Sequence, residues 1–359
     1  MVSDLNYIMK QFLLDSEISP YGDGHINHTY LTTSKQYILQ RINTKIFTKP
    51  QELMENIYNV TEHLRKKILA EGGNPDRETL TIIPTLAGEK YYRTEDDEYY
   101  RVYKFISDTV YYSVAERPEI LYYAAKSFGK FQNMLNDFPA EKLYETIPDF
   151  HNTRMRFSQL LTAIKENRSG RLKFVEKEVN FALEQEYIVD EITNAIKDGS
   201  VPLRVTHNDT KINNVLFDKE TGEGVCVIDL DTVMPGSLLY DYGDALRAGG
   251  TTAAEDEKNL SLVWFDMGSY RQFTKGYLEE MLPVMTKKEI ELLPLSARML
   301  TYECGIRFLA DYLNGDVYFK TSREEHNLDR ARTQFKLYKD MENKTEEMNS
   351  VISECIKNH

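Results

Sequence analysis

Residues 204–217, RVTHNDTKINNVLF, decide the fold of this chain, and a second stretch at 226–236, CVIDLDTVMPG, completes the pattern. The first stretch sets a His, an Asp and an Asn in a loop between two runs of β-branched and apolar residues, so their side chains can converge on one point. The second stretch is an apolar strand that ends in Asp229. A carboxylate in that position is costly to bury unless it is paired or bound to a metal. We therefore expect a polar site with metal ligands where the two stretches meet.

The composition is that of an acidic globular protein. The 359 residues are 41% hydrophobic, as in ordinary globular chains, and the formal net charge is −13. This charge disfavours nucleic acid as a partner, because nucleic-acid binding needs a basic patch, although a pocket can still bind an anionic nucleotide. The three cysteines are too scattered for a disulfide framework or a CxxC metal site.

The sequence contains neither a recognisable signal peptide nor an apolar run near the ~20 residues of a membrane span. We therefore expect a cytoplasmic protein without a membrane partner. The oligomeric state cannot be derived from the sequence, and a monomer is favoured.

Two regions with different secondary-structure patterns follow each other along the chain. Up to residue 105, short β-branched and aromatic runs such as 30–33 and 37–42 surround one helix, whose apolar residues recur at spacings of three and four between 53 and 64. After a connector near 105–112, helical patterns dominate at 119–135, 175–197, 287–313 and 329–355, and the β-rich segment 205–232 interrupts them. We expect an α+β chain with a small β-rich lobe at 1–105 and a larger, mainly helical lobe at 106–359.

The polar loop resembles the catalytic loop of kinase-like phosphotransferases. Asp209 and Asn214 fit the pattern H-x-D-x-x-x-x-N, in which the Asp orients or deprotonates the acceptor hydroxyl and the Asn binds Mg²⁺. Asp229 stands where the metal-binding Asp of the kinase D-F-G motif would be. An isolated match to this loop is usually a turn or a helix cap. The strand-terminal Asp at this spacing, after a β-rich lobe, favours the functional interpretation and implies a two-lobed protein-kinase-like fold.

Stretches outside the catalytic loop make the resemblance more specific. PYGDGHINHTYL at 20–31, IDLDTVMPGSLLYDYGDALR at 228–247, LTYECGIRFLADYLNGDVYF at 300–319 and EHNLDRARTQFKL at 325–337 are similar to the aminoglycoside phosphotransferase and choline kinase superfamily. Within it they resemble the bacterial N-acetylhexosamine 1-kinases. The likeness extends from about residue 21 to 337, which is nearly the whole chain.

This resemblance implies an ATP- and Mg²⁺-dependent kinase that phosphorylates the anomeric hydroxyl of N-acetylglucosamine or N-acetylgalactosamine and releases the α-sugar 1-phosphate. Asn214 and Asp229 would hold Mg²⁺, and Asp209 would face the anomeric hydroxyl as a base or positioning group. The preference between the two sugars stays open. The substrate-binding residues implied by the resemblance are His25, Asp209, Asp229, Arg307 and Tyr318.

The nucleotide-covering segment departs from the protein-kinase pattern. Gly22 and Gly24 in YGDGHIN would let the backbone approach phosphate oxygens, and we assign both to the nucleotide. Asn27 replaces the third glycine of G-x-G-x-x-G. Without that glycine the motif alone is weak, since a Gly-Asp-Gly sequence is more often only a turn.

The strand lysine of protein kinases is also missing. The segment YILQRIN has Gln40 and Arg41 in place of V-A-I-K. We assign Arg41 to the nucleotide, with Lys35 as an alternative. The glutamate that would pair with this cation is left open between Glu52 and Glu55, both on the following helix.

Several further polar residues are expected to support the site. His207 should pack beneath the loop rather than act in catalysis, and Asp241 and Asp244 should brace the loop from the helix that follows the metal strand. Asp231 and Lys211 are close enough to assist, but Lys211 is equally well interpreted as a solvated loop lysine.

The helical lobe should supply the acceptor site. Glu303, Arg307 and Asp311 are four residues apart and share one face of a helix whose intervening residues are mostly apolar. The alternative is a surface salt-bridge ladder worth a few tenths of a kcal/mol per pair. We favour a stripe that lines a cleft, with Ala248 near the acceptor pocket.

Three other functions compete with the sugar-kinase interpretation. The first is another small-molecule kinase of the same superfamily, acting on choline, an aminoglycoside or another hydroxyl acceptor. The second is a pseudokinase that binds nucleotide without turnover. A protein kinase is the weakest, because the chain has no D-F-G or A-P-E motif.

Overall fold

The computed structural model describes residues 5–14, 17–22 and 26–359. The strands in these ranges are β1 (Ile18–Pro20), β2 (His28–Thr32), β3 (Tyr37–Ile42), β4 (Ile82–Ile83), β5 (Tyr92–Arg93), β6 (Tyr99–Lys104), β7 (Thr109–Val110), β8 (Arg204–Thr206), β9 (Val215–Asp218), β10 (Gly224–Val227) and β11 (Met234–Gly236). The α-helices are α1 (Leu5–Lys10), α2 (Pro50–Ala70), α3 (Pro75–Glu78), α4 (Pro118–Met134), α5 (Thr153–Glu166), α6 (Glu176–Glu184), α7 (Glu191–Lys197), α8 (Leu238–Gly249), α9 (Met267–Met281), α10 (Lys287–Asn314), α11 (His326–Asn343) and α12 (Thr345–Lys357).

The N-terminal part is an antiparallel sheet with the strand order β1-β2-β3-β6-β4, and β5 also pairs with β6. Successive side chains of a strand point to opposite faces. On one face, Leu39, Tyr100 and Val102 pack with the apolar residues of α1. On the other face, Ile42 and Tyr103 belong to the cluster that contains the buried side of α2. The two-residue period therefore decides which polar side chains of β3 and β6 face α2.

Helix α2 is the single helix expected within the β-rich region. Pro50 occupies its first turn, where a missing N–H costs no hydrogen bond, and Leu53, Ile57, Val60 and Leu64 are buried as predicted. The same cluster continues into Phe128 and Phe131 of α4 and into Val215 and Val227 of the β9–β10 hairpin. The apolar core is therefore continuous between the sheet and the helical part of the chain.

The helical part is built around α10, a 28-residue helix with buried residues on nearly every side. Thr286 and Glu289 form a capping box at its start, and Glu289 also pairs with Arg204, at 2.7 Å between Oε1 and Nε. Because Arg204 begins β8, this buried contact connects the start of the central helix to the strand that leads into the polar loop.

Two small sheets bring the two stretches of functional sequence together. Strand β8 pairs with β11, and β9 pairs with both β10 and β7. In the β9–β10 hairpin, Val215 stands opposite Val227, and the amide of Ile228 donates to the carbonyl oxygen of Asn214 at 2.9 Å. The end of the polar loop and the strand that leads to Asp229 are therefore neighbours.

The expected α+β architecture, with a small β-rich N-terminal lobe and a larger helical part, is confirmed. Phe105 still donates to the carbonyl of Gln36 in the large sheet, and β7 pairs with β9 in the helical part. A division at residues 105 and 106 fits these contacts and stays a prediction. No helix in the described ranges has the length and apolar character needed to cross a bilayer.

Two predicted helices are each broken by tertiary contacts. Within 175–197, a 3-10 turn at 186–188 separates α6 from α7, and Arg154 holds it through ion pairs with Glu186 and Asp190. Within 329–355, the break falls at Lys344, whose Nζ donates to the carbonyl of Phe265 at 2.7 Å. Periodicity did not reveal these breaks, because the apolar spacing continues across each one.

Candidate active site

The polar loop is held from below by His207 and Asp241, both buried. The carboxylate of Asp241 accepts hydrogen bonds from the backbone amides of His207 at 2.8 Å and Asn208 at 2.7 Å. The His207 ring lies 2.9 Å from the carbonyl oxygen of Ile228 and meets the edges of Phe128 and Phe131. Both side chains are thus engaged inside the protein, where they support the loop and do not reach an acceptor.

Asp209 and Asn214 meet at the mouth of the loop. The amide nitrogen of Asn214 donates to the carbonyl oxygen of Asp209 at 2.8 Å and to its carboxylate at 3.1 Å. Lys211 Nζ lies 2.8 Å from the other carboxylate oxygen of Asp209, and its side chain is about half exposed, at 49%. Lys211 is therefore an ion-pair partner of Asp209. The Asp209 carboxylate is oriented from two sides while remaining partly open to solvent.

Asp229 lies two residues after the end of β10, in the left-handed region with φ of 59°. Its side chain is exposed to solvent although protein atoms surround it at longer range, and its carboxylate makes no hydrogen bond or ion pair with the described residues. This enclosure, with the negative charges of Asp231 and Asp209, raises the pKa of Asp229 to about 6. A crowded, unpaired carboxylate in a strained conformation is typical of a functional position.

These oxygens fit a hard divalent cation such as Mg²⁺. Asn214 uses its amide nitrogen on Asp209, which leaves its amide oxygen available as a ligand, and its backbone carbonyl is bonded to Ile228, the residue before Asp229. No group of three His, Cys, Asp or Glu side chains forms a metal cage in the described ranges. Mg²⁺ does not require one, since it is commonly bound by one or two carboxylates together with phosphate oxygens and water.

Arg101 is a buried cation at this site that the sequence analysis missed. It lies on β6, is only 1% exposed, and donates through Nε to Gln40 at 3.0 Å. Its guanidinium lies 2.5 Å from the carboxylate of Asp231, which is also buried. Burial opposes the charge of Arg101, but Asp231 and the nearby Asp229 raise its pKa, so it stays ionised. The sequence signal that could have revealed it was an arginine in the strand YYRVYKF, at a position that shares the α2-facing side with apolar and aromatic residues.

Arg41, which we assigned to the nucleotide, lies on the face of the sheet opposite to Arg101, and its assignment stays a prediction. Gln40 faces Arg101, and strand alternation therefore turns Arg41 to the other face of the sheet, where it pairs with Glu98 at 2.8 Å. Lys35 lies in the turn between β2 and β3, with φ of 53°, and does not replace it.

The remaining expectations for the nucleotide side have different outcomes. Glu52 pairs with Lys49 and Glu55 is exposed, so neither is placed as the expected glutamate partner. Gly22 has φ of 77°, a conformation that favours glycine, and a Cβ at this position would have no atom within 4 Å. Gly24 and His25 lie outside the described residues.

A buried ion pair joins the polar loop to helix α10. His151 lies 3.3 Å from the carbonyl oxygen of Asn208 and 3.0 Å from the carboxylate of Glu303. Thr153 donates to the same carboxylate at 2.7 Å. Burial opposes both charges, yet the mutual hydrogen bond raises the pKa of His151 and lowers that of Glu303. Glu303 therefore anchors α10 beside the loop and has its charge satisfied within the protein.

Arg307 lies one turn further along α10 and makes no hydrogen bond or ion pair with the described residues. Its guanidinium is 5.5 Å from the ring of Phe319. Arg156 of α5 is close enough that the charge of Arg307, after burial, helps to lower its pKa. Arg156 donates to the carbonyl of Phe150, and its buried Nε has no partner in the described part of the chain. Arg307 and Arg156 are therefore neighbouring guanidinium groups without a carboxylate partner among the described residues, and we call the pair the positively charged wall.

Asp311 anchors the loop that carries Tyr318. Its carboxylate accepts hydrogen bonds from the amides of Val317, Tyr318 and Phe319 at 3.0, 2.8 and 2.9 Å, and from Asn327 at 2.8 Å. The Tyr318 side chain is 73% exposed, and its ring meets the edge of Phe319, which lies over Arg307. Of the expected stripe, Glu303 and Asp311 are thus anchors, and Arg307 between them is available for a ligand.

Replacing Asp311 with Asn is expected to loosen this loop. An amide can keep only some of the backbone hydrogen bonds, and its NH₂ group would oppose an amide of the loop. The free energy of unfolding should fall by about 2 kcal/mol. Denaturant unfolding measures the loss, and faster hydrogen exchange at the amides of 317–319 shows where it arises. Asp96→Asn, in an exposed turn, is the matched control. Unchanged exchange at 317–319 would contradict the assigned role.

Asp244 and Ala248 both belong to α8. Arg247 pairs with Asp244 at 2.9 Å and lowers its pKa despite burial, so this carboxylate is also satisfied. Ala248 is exposed.

A separate cavity of about 480 Å³ lies between α2, α4 and β10. Its lining includes Ile68, Phe131, Val225 and Lys130, and none of its lining residues belongs to the polar loop. The candidate active site is therefore the open cleft around Asp209 and Asp229 and not this cavity.

Three solved structures share this fold. A microcompartment-associated aminopropanol kinase aligns with a TM-score of 0.58 and 11% identity, over 96% of this chain and 99% of its own. The GDP complex of aminoglycoside 2'-phosphotransferase-IIIa aligns with a TM-score of 0.58 and 13% identity, over 95% of this chain and 99% of its own. Amicoumacin kinase hAmiN with AMP-PNP and Ca²⁺ aligns with a TM-score of 0.57 and 13% identity, over 96% of this chain and 94% of its own. Identities this low establish the fold alone, which is the expected kinase-like one.

The sequence itself connects the chain to a family. The phosphotransferase enzyme family matches residues 17–273, which include the sheet, the polar loop and the strand that ends at Asp229. The match covers well over half of the chain and includes the loop with Asp209 and Asn214. The chain therefore belongs to the phosphotransferase enzyme family.

Proposed function

We propose that this phosphotransferase is an ATP- and Mg²⁺-dependent kinase that phosphorylates the anomeric hydroxyl of N-acetylhexosamines. The observation that carries the proposal is the charge of the positively charged wall, which we place on the acceptor side of the site. Arg307 and Arg156 have no carboxylate partner in the described ranges, whereas the neighbouring carboxylates of Glu303, Asp244 and Asp311 are already engaged.

This wall opposes a cationic acceptor. Aminopropanol, which one structural relative phosphorylates, and the aminoglycosides, which another phosphorylates, carry ammonium groups at neutral pH. Facing such groups with two guanidinium groups costs several kcal/mol in a partly desolvated site. An N-acetylhexosamine is neutral and offers hydroxyl and amide oxygens, which accept hydrogen bonds from guanidinium donors. The exposed ring and hydroxyl of Tyr318 add a surface suited to a sugar.

In the proposed reaction, Asp209 aligns the anomeric hydroxyl and accepts its proton as the oxygen attacks the γ-phosphorus of ATP, and the bond from that phosphorus to the bridging oxygen breaks to release ADP. Lys211 and Asn214 hold the Asp209 carboxylate in orientation. Asn214 and Asp229 would supply oxygen ligands to Mg²⁺, which neutralises charge on the transferring phosphoryl group. An anomeric hydroxyl is more acidic than an ordinary alcohol, so alignment contributes more than base strength.

Phosphorus NMR of the protein with Mg-ATP and one acceptor at a time tests the proposal. The acceptors are N-acetylglucosamine, N-acetylgalactosamine, aminopropanol and kanamycin. The expected result is a new phosphorus resonance, coupled to the anomeric proton, with at least one of the two sugars and with neither of the other acceptors. Phosphorylation of aminopropanol or kanamycin alone would overturn the sugar assignment and retain the kinase. Nucleotide binding without transfer to any acceptor would favour a pseudokinase.

Arg307→Met should raise the KM for the sugar about 10- to 100-fold, because a charged hydrogen bond to the acceptor contributes about 1.5–3 kcal/mol. The KM for ATP should change less than threefold. Arg168→Met removes an exposed arginine that follows the end of α5 and pairs with Glu166, and it is the matched control. Steady-state kinetics with each substrate varied in turn separates the two constants. An equal rise in both KM values would indicate a general loss of structure.

A further inference from the structure

His151 lies between the polar loop and helix α10, and it is buried. Its Nε2 lies 3.3 Å from the carbonyl oxygen of Asn208, and its Nδ1 lies 3.0 Å from the carboxylate of Glu303. A carbonyl oxygen and an ionised carboxylate only accept hydrogen bonds. Both ring nitrogens must therefore carry a proton to make both contacts, which makes His151 an imidazolium cation.

The other buried histidines in the described ranges have a different arrangement. The Nε2 of His207 lies 2.9 Å from the carbonyl oxygen of Ile228, but its Nδ1 accepts from the backbone amide of Asp209 at 3.3 Å. His326 likewise accepts a backbone N–H at its Nδ1, at 3.1 Å. One ring proton is enough for each of these two side chains, whereas His151 needs two.

The contact with Asn208 matters because this residue directly precedes Asp209. Asn208 has φ of 65°, in the left-handed region, and protein groups hold it in that conformation. Its backbone amide donates to Asp241 at 2.7 Å, and its side-chain amide donates to the carbonyl oxygen of Thr232 at 2.8 Å. The ring of His151 holds the carbonyl oxygen of Asn208, which belongs to the peptide group that joins it to Asp209. This bond therefore sets the direction in which the Asp209 backbone begins.

The titratable and charged groups around the His151 ring come from α8 and α10, and they are Tyr240, Asp241, Asp244, Glu303 and Arg307. Burial opposes the charge of His151, as does Arg307, but the hydrogen bond to Glu303 and the charges of Glu303 and Asp244 raise its pKa above the ordinary 6.5. Thr153 also donates to the Glu303 carboxylate at 2.7 Å. Because the pKa is raised in the folded protein, the cation and its two contacts are present below that pKa and are lost as the pH rises through it.

We propose that His151, as an imidazolium, is a positioning residue for phosphoryl transfer, which fixes the backbone in front of Asp209 by joining it to Glu303 of α10. The inference rests on the proposed kinase function, in which Asp209 aligns the acceptor. A neutral ring can donate to only one of its two partners, so it must release either Asn208 or Glu303. A misplacement of about 1 Å in a reacting group can cost on the order of 10²-fold in rate.

Nitrogen-15 NMR of the protein with labelled histidine rings tests the charge state without any turnover. The spectra are recorded from pH 5.5 to 9, and the ring of His151 is identified by its absence in the double variant His151→Gln/Glu303→Gln. Both ring nitrogens should carry protons until the pH passes a midpoint above 6.5. A midpoint at or below 6.5 would mean that the ring is neutral at physiological pH, and it would overturn the proposal.

Single-turnover kinetics tests the effect on the reaction, with N-acetylglucosamine or whichever acceptor the protein phosphorylates. In His151→Gln, an amide that donates to Asn208 turns its oxygen toward the Glu303 carboxylate. The rate at pH 7 should therefore fall at least about tenfold, while the KM for ATP changes less than threefold.

The double variant His151→Gln/Glu303→Gln should recover to within about threefold of the natural rate. The amide at 303 can accept from Thr153 and donate to the amide at 151, which in turn donates to the Asn208 carbonyl, so each contact is restored without a charge. The natural rate should fall as the pH rises through the NMR midpoint of His151. The double variant should not show this fall, because neither amide titrates.

His63→Gln is the matched control. His63 also contacts a carboxylate, that of Asp137 at 2.9 Å, but this pair lies on α2 and its Asp137 side chain is mostly exposed. This variant should keep the natural rate and the natural pH dependence.

Each outcome decides between defined alternatives. A folded His151→Gln within twofold of the natural rate, or a double variant that stays as slow as the single one, overturns the positioning role and leaves the kinase function intact. Removing one member of a buried ion pair is strongly destabilising, so if His151→Gln does not fold, the pH dependence of the double variant decides. If the natural protein transfers phosphate to no acceptor, the proposed function fails, and the positioning role fails with it.

Discussion

Replacing Asp209 with Asn is expected to lower kcat about 10³-fold while nucleotide affinity stays within about threefold of its natural value. The amide has the size of the carboxylate but cannot accept the acceptor's proton, and it no longer attracts Lys211, whose Nζ lies 2.8 Å away. The partner contacts from Asn214 are largely retained, because the carbonyl oxygen of residue 209 still accepts one of them. The loss is therefore confined to the chemical step.

Calorimetric titration with ADP and Mg²⁺ measures the nucleotide affinity, and single-turnover kinetics measures the rate of the chemical step. Asp96→Asn makes the same chemical change in an exposed turn and serves as the control. A large loss of ADP affinity in Asp209→Asn would mean that Asp209 holds the nucleotide or its metal instead of the acceptor.

Replacing Asp229 with Asn is expected to have opposite effects on activity and on stability. The kcat should fall about 10³-fold even at saturating Mg²⁺, because a charged ligand to the metal is lost. The metal-free protein should become more stable at pH 7. Enclosure by the protein, with Asp231 and Asp209 nearby, raises the pKa of Asp229 to about 6 from an ordinary 3.8, so ionising it opposes folding.

The sign of this effect defines its pH window. Between pH 3.8 and about 6 the folded state holds a proton that the unfolded state has released, so stability falls as pH rises and stays lower at pH 7. Because the side chain opens to solvent, we expect a gain of only about 1 kcal/mol for Asp229→Asn, or about 2 °C in Tm.

Thermal unfolding from pH 4 to 8, without metal, measures the gain. The two proteins should have similar Tm values at pH 4 and differ above pH 6. Glu220→Gln, an exposed change in the β9–β10 turn, provides the control. Adding Mg-ADP should stabilise the natural protein more than the variant. A variant that is less stable than the natural protein at pH 7 would contradict the electrostatic origin of the effect.

The sequence by itself determined the architecture and the identity of the loop. Spacing alone placed α2, because an apolar face repeats every three to four residues whatever surrounds the helix. The separation of Asp209 from Asn214 by five residues, followed by an apolar run that leads to Asp229, predicted the catalytic stretch. These features are local, so they are readable without knowing which segments meet.

Only the tertiary structure decided which distant charges meet. Arg41 and Arg101 are both strand arginines. Strand alternation turned them to opposite faces, Arg41 pairs with Glu98, and packing of the sheet against the segment after β10 put Arg101 beside Asp231. Likewise, Arg307 is distinguished from its neighbours on α10 because other elements engage Glu303 and Asp311 and leave it unpaired. Sequence periodicity gives the face of each residue, whereas the partner of a charge depends on contacts between segments far apart in the chain.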